Sequence, residues 1–251
     1  MSRWVVIVCV FIVAAMSVAP GRAAVTATGA RAIPVPALVL WAWERPEDLR
    51  GLGTSAGVAF LAQTITIDGQ IVVRGPRRQP LRVDLSTPLI AVTRIETAAP
   101  VRALDDDIVG DVAGAIGRTA GLPQVVGVQV DFDAVRSERT FYRDLLRRVR
   151  ARLPSSVPVS VTALASWCAG DRWLDQLSID EAVAMIFRLG PLNAPYAAIA
   201  DTPTSAAREC TAVGTSLDEP VRVNRAGRRM YVFNPKSWTP ESVKQAQGAA
   251  E

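Results

Sequence analysis

The chain has 251 residues and no histidine among them. That absence removes Ser-His-Asp and Cys-His nucleophile activation, because both need an imidazole to take the proton. It also removes most zinc and non-haem iron sites, whose ligand sets lean on imidazole. Cysteine is scarce too, at three residues. A phosphate loop is also missing. The stretch GAIGRTAG at 114–121 follows no strand, lacks the lysine of a Walker loop, and reads as the second half of a helix. Any catalysis must therefore rest on carboxylates, hydroxyls, amides, arginine, lysine, tyrosine or tryptophan. Neither a cofactor nor a bound metal is expected.

What is present begins with a leader. MSRWVVIVCVFIVAAMSVAPGRAA places Arg3 ahead of an apolar run from Trp4 to Ala19, with small residues at Ala23 and Ala24. This is the order of a secretory signal peptide over residues 1–24. The run of 16 residues is short for a spanning helix, which needs roughly 20. The alternative is an uncleaved N-terminal anchor, the sole route to a membrane expected here. Residues 25–36 read as a linker, and the mature protein is expected to be periplasmic or secreted. Removing the leader takes Arg3 and Arg22 and no acid, so 28 basic residues become 26 against 24 acidic, and +4 becomes +2. An ordinary mixed-charge surface follows, and no nucleic-acid partner is expected. The leader also takes Cys9, leaving Cys168 and Cys210. In an exported chain such a pair suggests a disulfide; two buried thiols are the alternative.

Apolar residues make up 49% of the chain and charged residues 21%, enough for a sizeable core and too apolar for disorder. Short apolar runs recur with helical or irregular segments between them. Strands are predicted at Ala37–Trp43, Ala56–Gln63, Pro88–Thr97, Val125–Ala134, Val157–Trp167, within Asp180–Gly190, at Cys210–Pro220 and at Arg228–Trp238. Helices are predicted at Arg45–Leu52, Asp105–Ala120 and Ser137–Leu153, with Ser137 as N-cap, and from Thr239 to Gln247. Asp171–Leu177 reads as a short helical turn. Thr64–Arg74 carries Asp68-Gly69 between alternating β-branched residues, a hairpin signal, so a small β insertion is expected after the second strand. Eight strands over residues 37–247 fit one (β/α)8 barrel of the TIM type, an α/β fold in a single domain. An open α/β sheet is the alternative.

In a barrel, alternate strand residues point inward. In VVGVQVDFDA, at Val125–Ala134, Val126, Val128, Val130 and Phe132 suit the helix-facing side, whereas Gly127, Gln129, Asp131 and Asp133 share the inward parity. The two acids then stand at the carboxyl end of the strand, where barrel enzymes keep their active sites. Other strand ends contribute Trp41, Trp43 and Glu44, then Arg94 and Glu96, then Thr162 and Trp167, then Arg188 and Asn234. Paired acids beside aromatic platforms suit glycoside hydrolysis, in which one carboxyl donates a proton and another stays ionised. On this reading Asp133 is the proton donor, Asp131 its electrostatic partner and Glu96 a possible second carboxylate. Trp41, Trp43 and Trp167 stack on sugar rings, and Arg94 and Arg188 tune the acids or grip an anionic sugar. The alternative is a structural ion-pair network between Asp131, Asp133 and the two arginines. A D-x-D pair could equally hold a divalent cation through oxygen ligands. Glu138 reads most simply as a helix-dipole partner.

The blocks LVLWAWERPEDLR, GVAFLAQ, SVTALASWCAGDRWL and DEAVAMIFRLG, with the acid-bearing strand between the second and third, resemble the bacterial family catalogued as domain of unknown function 3142. The resemblance runs from about Leu38 to Gly190 and more loosely to Trp238. It implies an exported or envelope-associated protein with a glycosidase-like barrel, and no assigned activity. The strand is also similar to the fourth strand of chitinase-like barrels, D-x-x-D-x-D-x-E. Only Asp131 and Asp133 match its central part, and Val135 stands where the terminal glutamate of that motif would be. That departure leaves two functional classes open: a hydrolase working through the aspartates, or a catalytically inactive binding or scaffold barrel of the cell envelope.

Overall fold

The fold is described from a computed structural model, which covers Met1 and residues 32–99, 101, 105–169, 171–189, 210–224 and 227–250. The predicted signal segment apart from Met1, most of the linker and the ragged stretch after strand six lie outside the described residues. Strands rich in valine, isoleucine, leucine and alanine, apolar on both faces, belong in a parallel sheet covered on both sides. Eight such strands form it: β1 (Leu38–Ala42), β3 (Gly57–Asp68), β6 (Leu89–Thr97), β7 (Val125–Asp131), β8 (Val159–Leu164), β9 (Glu181–Met185), β10 (Ala212–Ser216) and β11 (Arg229–Phe233). Each pairs in parallel with its neighbours, and β1 pairs with both β11 and β3, so the sheet closes on itself. The architecture is the expected (β/α)8 barrel.

Helix α1 (Asp106–Thr119) and helix α2 (Arg139–Arg152) pack against the strands that carry the acids. Val112, Ile116, Tyr142, Leu145, Leu146 and Val149 are fully buried against the outward face of β7 at Val128 and Val130. Burying each side chain of this size contributes about 1.5–3 kcal/mol. The inside of the barrel is a separate core of Ile33, Val39, Trp41, Ala59, Ile90, Val92, Val183 and Tyr231. Ile33 closes the bottom, where Gly127 faces it; a methyl group on Gly127 would reach to 3.5 Å from Ile33.

Several element boundaries differ from expectation, each for a local reason. Residues 45–52 form no helix. The amides of Glu47 and Leu49 donate to the carbonyls of Pro80 and Arg82, so Glu47–Asp48 (β2) pairs with Leu81–Arg82 (β5). The expected hairpin after the second strand forms at Asp68-Gly69: β3 continues past the barrel wall and folds back on Ile71–Pro76 (β4), with Gly69 taking the positive φ of the turn. Ser137 does not cap α2. Residues Arg136–Glu138 form a 3-10 turn, and the Glu138 carboxylate turns inward and accepts from the Thr97 hydroxyl and from the amides of Val101 and Val135 at 2.9–3.1 Å. Glu138 is thus a buried clamp on the loop after β6 rather than a dipole partner. β8 stops at Leu164, and Ala165–Cys168 turn into a short helix, α3. The closing helix α4 (Pro240–Ala249) starts as expected, with the Thr239 hydroxyl accepting from the Ser242 amide and Pro240 in the first turn. Cys168 and Cys210 form the expected disulfide. Among the described residues no helix is long and apolar enough to cross a membrane.

Candidate functional site

The strand register brings Arg94 of β6 beside Asp131 of β7. Arg94 donates to Asp131 at 2.8 Å and, through its Nε, to Glu96 at 2.9 Å. On the other side, the Thr162 hydroxyl of β8 donates to Asp131 at 2.6 Å. Asp131 is buried, with both carboxylate oxygens engaged. Partial burial opposes the charge of Arg94, but Asp131 and Glu96 outweigh it and hold the guanidinium above its ordinary range.

Asp133, two residues on, lies past the end of the strand. It is open to solvent and makes no hydrogen bond among the described residues. Crowding by surrounding protein pushes its carboxyl above the ordinary aspartate value; the charge of Asp131 adds to this and Arg94 works against it. Two neighbouring aspartates thus have opposed environments. One is gripped by a cation and a hydroxyl, while the other is biased towards the protonated acid.

Both acids line an open pocket of about 310 Å³ at the carboxyl ends of the strands. Its polar wall is Arg94, Asp131, Asp133, Thr162 and Arg188. Its apolar wall includes Trp41, Trp43, Phe187 and Phe233, with Phe187 and Phe233 stacked at 5.7 Å between centroids and 8° between planes. The size and the mostly apolar lining with a few convergent polar groups are those of a small-ligand site. Trp41 is buried and forms the floor, whereas Trp43 is half-exposed and meets Phe233 edge-on. Arg188 sits on the rim with a left-handed φ of 59°, held there by Glu219, which accepts its amide at 2.8 Å. Its guanidinium pairs with Asp218 at 2.7 Å and Glu219 at 3.3 Å.

Asp131, Asp133, Trp41, Trp43, Arg94 and Arg188 therefore meet in one pocket. Glu96 does not line it; the side chain is exposed and reaches the acids only through Arg94. Glu44 points the other way and accepts from the amides of Arg78 and Gln79, anchoring a loop. Trp167 is buried on the outer layer against Trp173, because the chain leaves strand geometry at Ala165. Asn234 is spent on the turn before α4, accepting from the Lys236 amide. Conversely, Leu164, Met185, Phe187, Leu189 and Phe233 line the pocket without having been singled out as site residues. Apolar residues at strand ends look like core; only their coincidence with the acid-bearing end marks them. Among the described residues no group of three or more acidic or cysteine side chains is placed to hold a metal ion.

No protein-family model matches the chain, and no characterised protein matches it in sequence. Its fold does match solved structures. The spore cortex-lytic enzyme SleL of Bacillus cereus superposes with a TM-score of 0.50 at 16% identity, over 71% of this chain and 50% of that one. SleL of Bacillus megaterium QM B1551 gives 0.51 at 13% identity, over 72% and 50%. The chain spans about half the length of these structures. At such identities the likeness concerns the fold.

Proposed function

We propose that this chain is an exported glycoside-hydrolase-like protein that binds a carbohydrate in the pocket at the top of the barrel and cleaves a glycosidic bond there. The observation that carries the reading is the unequal pair. Asp131 is engaged by Arg94 and Thr162, while Asp133 makes no hydrogen bond among the described residues, reaches the pocket and is biased towards its protonated form. Division of two acids between a donor and a stabilising carboxylate is what glycosidic cleavage requires. Asp133 protonates the leaving oxygen, and Asp131 faces the positive charge that develops on the sugar ring. Trp43 and Trp41 offer flat apolar surfaces to the ring. Both arginines are already matched by two carboxylates each, Arg94 by Asp131 and Glu96, Arg188 by Asp218 and Glu219. That compensation favours an uncharged sugar over an anionic one. Membership of the domain of unknown function 3142 group, a cleaved leader and a periplasmic or secreted location belong to the same proposal; the disulfide fits an oxidising compartment.

The second reading is a catalytically inactive carbohydrate-binding or scaffold barrel. One observation favours it: Val135 occupies the place of the chitinase-type glutamate, and the nearby Glu138 is committed to the loop after β6. A panel of neutral and anionic glycans, assayed for new reducing ends with wild type and Asp133→Asn, separates the two. Release by wild type and at least about a hundredfold less by the variant supports the hydrolase, in line with the usual contribution of a general acid. Equal activity of both on every cleaved glycan overturns the role of Asp133. Binding without release by either protein leaves the inactive reading.

A further inference from the structure

The floor of the pocket rests on a buried polar column. The Trp41 indole N–H donates to the Gln129 side-chain oxygen at 2.9 Å, inside the barrel. Gln129 in turn donates to the Ser160 hydroxyl at 3.1 Å, and Ser160 to Glu181 at 3.4 Å. Glu181 also accepts from the Tyr231 hydroxyl at 2.8 Å and pairs with Arg229 near the bottom of the barrel. Tyr231 packs on the Trp41 ring at 5.1 Å between centroids. The indole is thus tied, through a buried polar column, to groups at the far end of the barrel. A second constraint comes from β10. A Cβ on Gly214 would lie 2.8 Å from Trp41 Cη2, 3.0 Å from its Cζ3 and 3.0 Å from Met185 Sδ. Real Cβ atoms do not come that close, so the ring can lie where it does only because position 214 has no side chain. Gly214 has no positive φ, so close approach accounts for glycine there rather than backbone conformation.

We propose that Gly214 and Gln129 are positioning residues that fix Trp41 as the floor of the pocket, and so set how deeply a sugar ring can enter. The inference rests on the carbohydrate reading of the pocket and adds the determinant of its depth. Gln129 fixes the rotation of the indole through its single polar atom, and Gly214 fixes its height. A methyl group at 214 drives the benzo edge of the indole up into the space between the acids and the aromatic wall. Phenylalanine at position 41 lacks the two carbons that the methyl would strike.

The test uses full-length protein carrying 5-fluorotryptophan. The Trp41 fluorine signal is assigned by its loss in Trp41→Phe. The probes are uncharged hexasaccharides of glucose, xylose and N-acetylglucosamine. We expect Gly214→Ala to shift the Trp41 signal and leave the Trp167 and Trp173 signals in place, and Gln129→Leu, which removes the acceptor of the indole N–H, to shift it as well. A hexasaccharide that moves the Trp41 signal in wild type should bind about tenfold more weakly to Gly214→Ala, the scale of overpacking by one methyl group. In the Trp41→Phe background the same substitution should cost less than about threefold, because coupled positions do not add. An unmoved Trp41 signal in Gly214→Ala, or an equal loss of affinity in both backgrounds, overturns the proposal while leaving glycan binding intact. If no hexasaccharide perturbs any tryptophan in wild type, the carbohydrate reading falls and the depth-setting role falls with it, even where Gly214→Ala moves the indole.

Discussion

Asp133 shows how a single residue can be worth more to chemistry than to stability. Its carboxyl titrates above the ordinary aspartate value because the folded surroundings and Asp131 disfavour its anion. The folded state therefore holds this proton more tightly than the unfolded chain does. Its favourable contribution is complete below the unfolded value and lost as pH rises through the folded one. At neutral pH the ionised side chain is a small liability. Asp133→Asn should raise the melting temperature slightly at pH 7 and leave it unchanged near pH 3, while abolishing glycan cleavage. Calorimetric melts at the two pH values check this, and a variant less stable than wild type at pH 7 contradicts it. The alkaline limb of any pH–rate profile should lie above the ordinary aspartate range, because activity needs Asp133 protonated.

At the scale of elements, the loops between strands and helices decide which strand-end residues reach the pocket. The loop after β6 is tied to α2 through Glu138, whose buried carboxylate accepts from two backbone amides and one hydroxyl. Glu138→Ala leaves those amides without their acceptor, and we expect a loss of about 2–4 kcal/mol in urea unfolding, with Glu138→Gln in between. The disulfide joins α3 to the start of β10 across 42 residues, and its reduction should cost at most about 4 kcal/mol by loop entropy. Unfolding with and without reductant measures it. Such ties also mark where sequence reasoning stops. Alternation along 125–131 was legible because strand geometry runs through Asp131, so parity delivered that acid; Asp133, at the centre of a tight turn in which the Ala134 amide donates to the Phe132 carbonyl, reaches the same pocket from just past the strand end. Parity failed for Trp167, because β8 turns into α3 at Ala165, and a helix does not preserve a two-residue period. Glu44 and Asn234 were misplaced for a related reason: loop residues answer to nearby amides, which no periodicity reveals. Phe187 and Phe233 remained hidden among core-like residues until the closed sheet set them opposite the acids.

Closing eight strands into a cylinder creates an interior shielded from bulk solvent, and in this molecule that interior is not uniformly apolar. A polar column runs from Arg229 and Glu181 through Tyr231, Ser160 and Gln129 to Trp41 under the pocket. Burial pushes the Glu181 carboxyl above its ordinary value, and Arg229, with the Tyr231 and Ser160 hydroxyls, pulls against that. Burial wins, so Glu181 is less comfortable as an anion in the folded protein than in the unfolded chain. The folded state gains from holding its proton, and that gain fades as pH rises above the ordinary glutamate range. Arg229 also donates to the carbonyls of Ile33 and Pro36 at 2.9 and 3.3 Å, which keeps the Ile33 plug in the bottom of the barrel. Arg229→Met should therefore act twice, stranding a buried carboxylate and loosening the plug. Breaking a buried pair in this way typically costs about 3–5 kcal/mol at neutral pH. The carboxylate share of that loss should shrink towards pH 4, where Glu181 can take up its proton, whereas the plug share should not. Adding Glu181→Gln to Arg229→Met removes the stranded charge and should restore much of the stability at pH 7, with little further effect at pH 4. Urea unfolding of the two variants at both pH values separates the shares. A double variant no more stable at pH 7 than Arg229→Met alone would mean that the arginine serves the plug and not the charge.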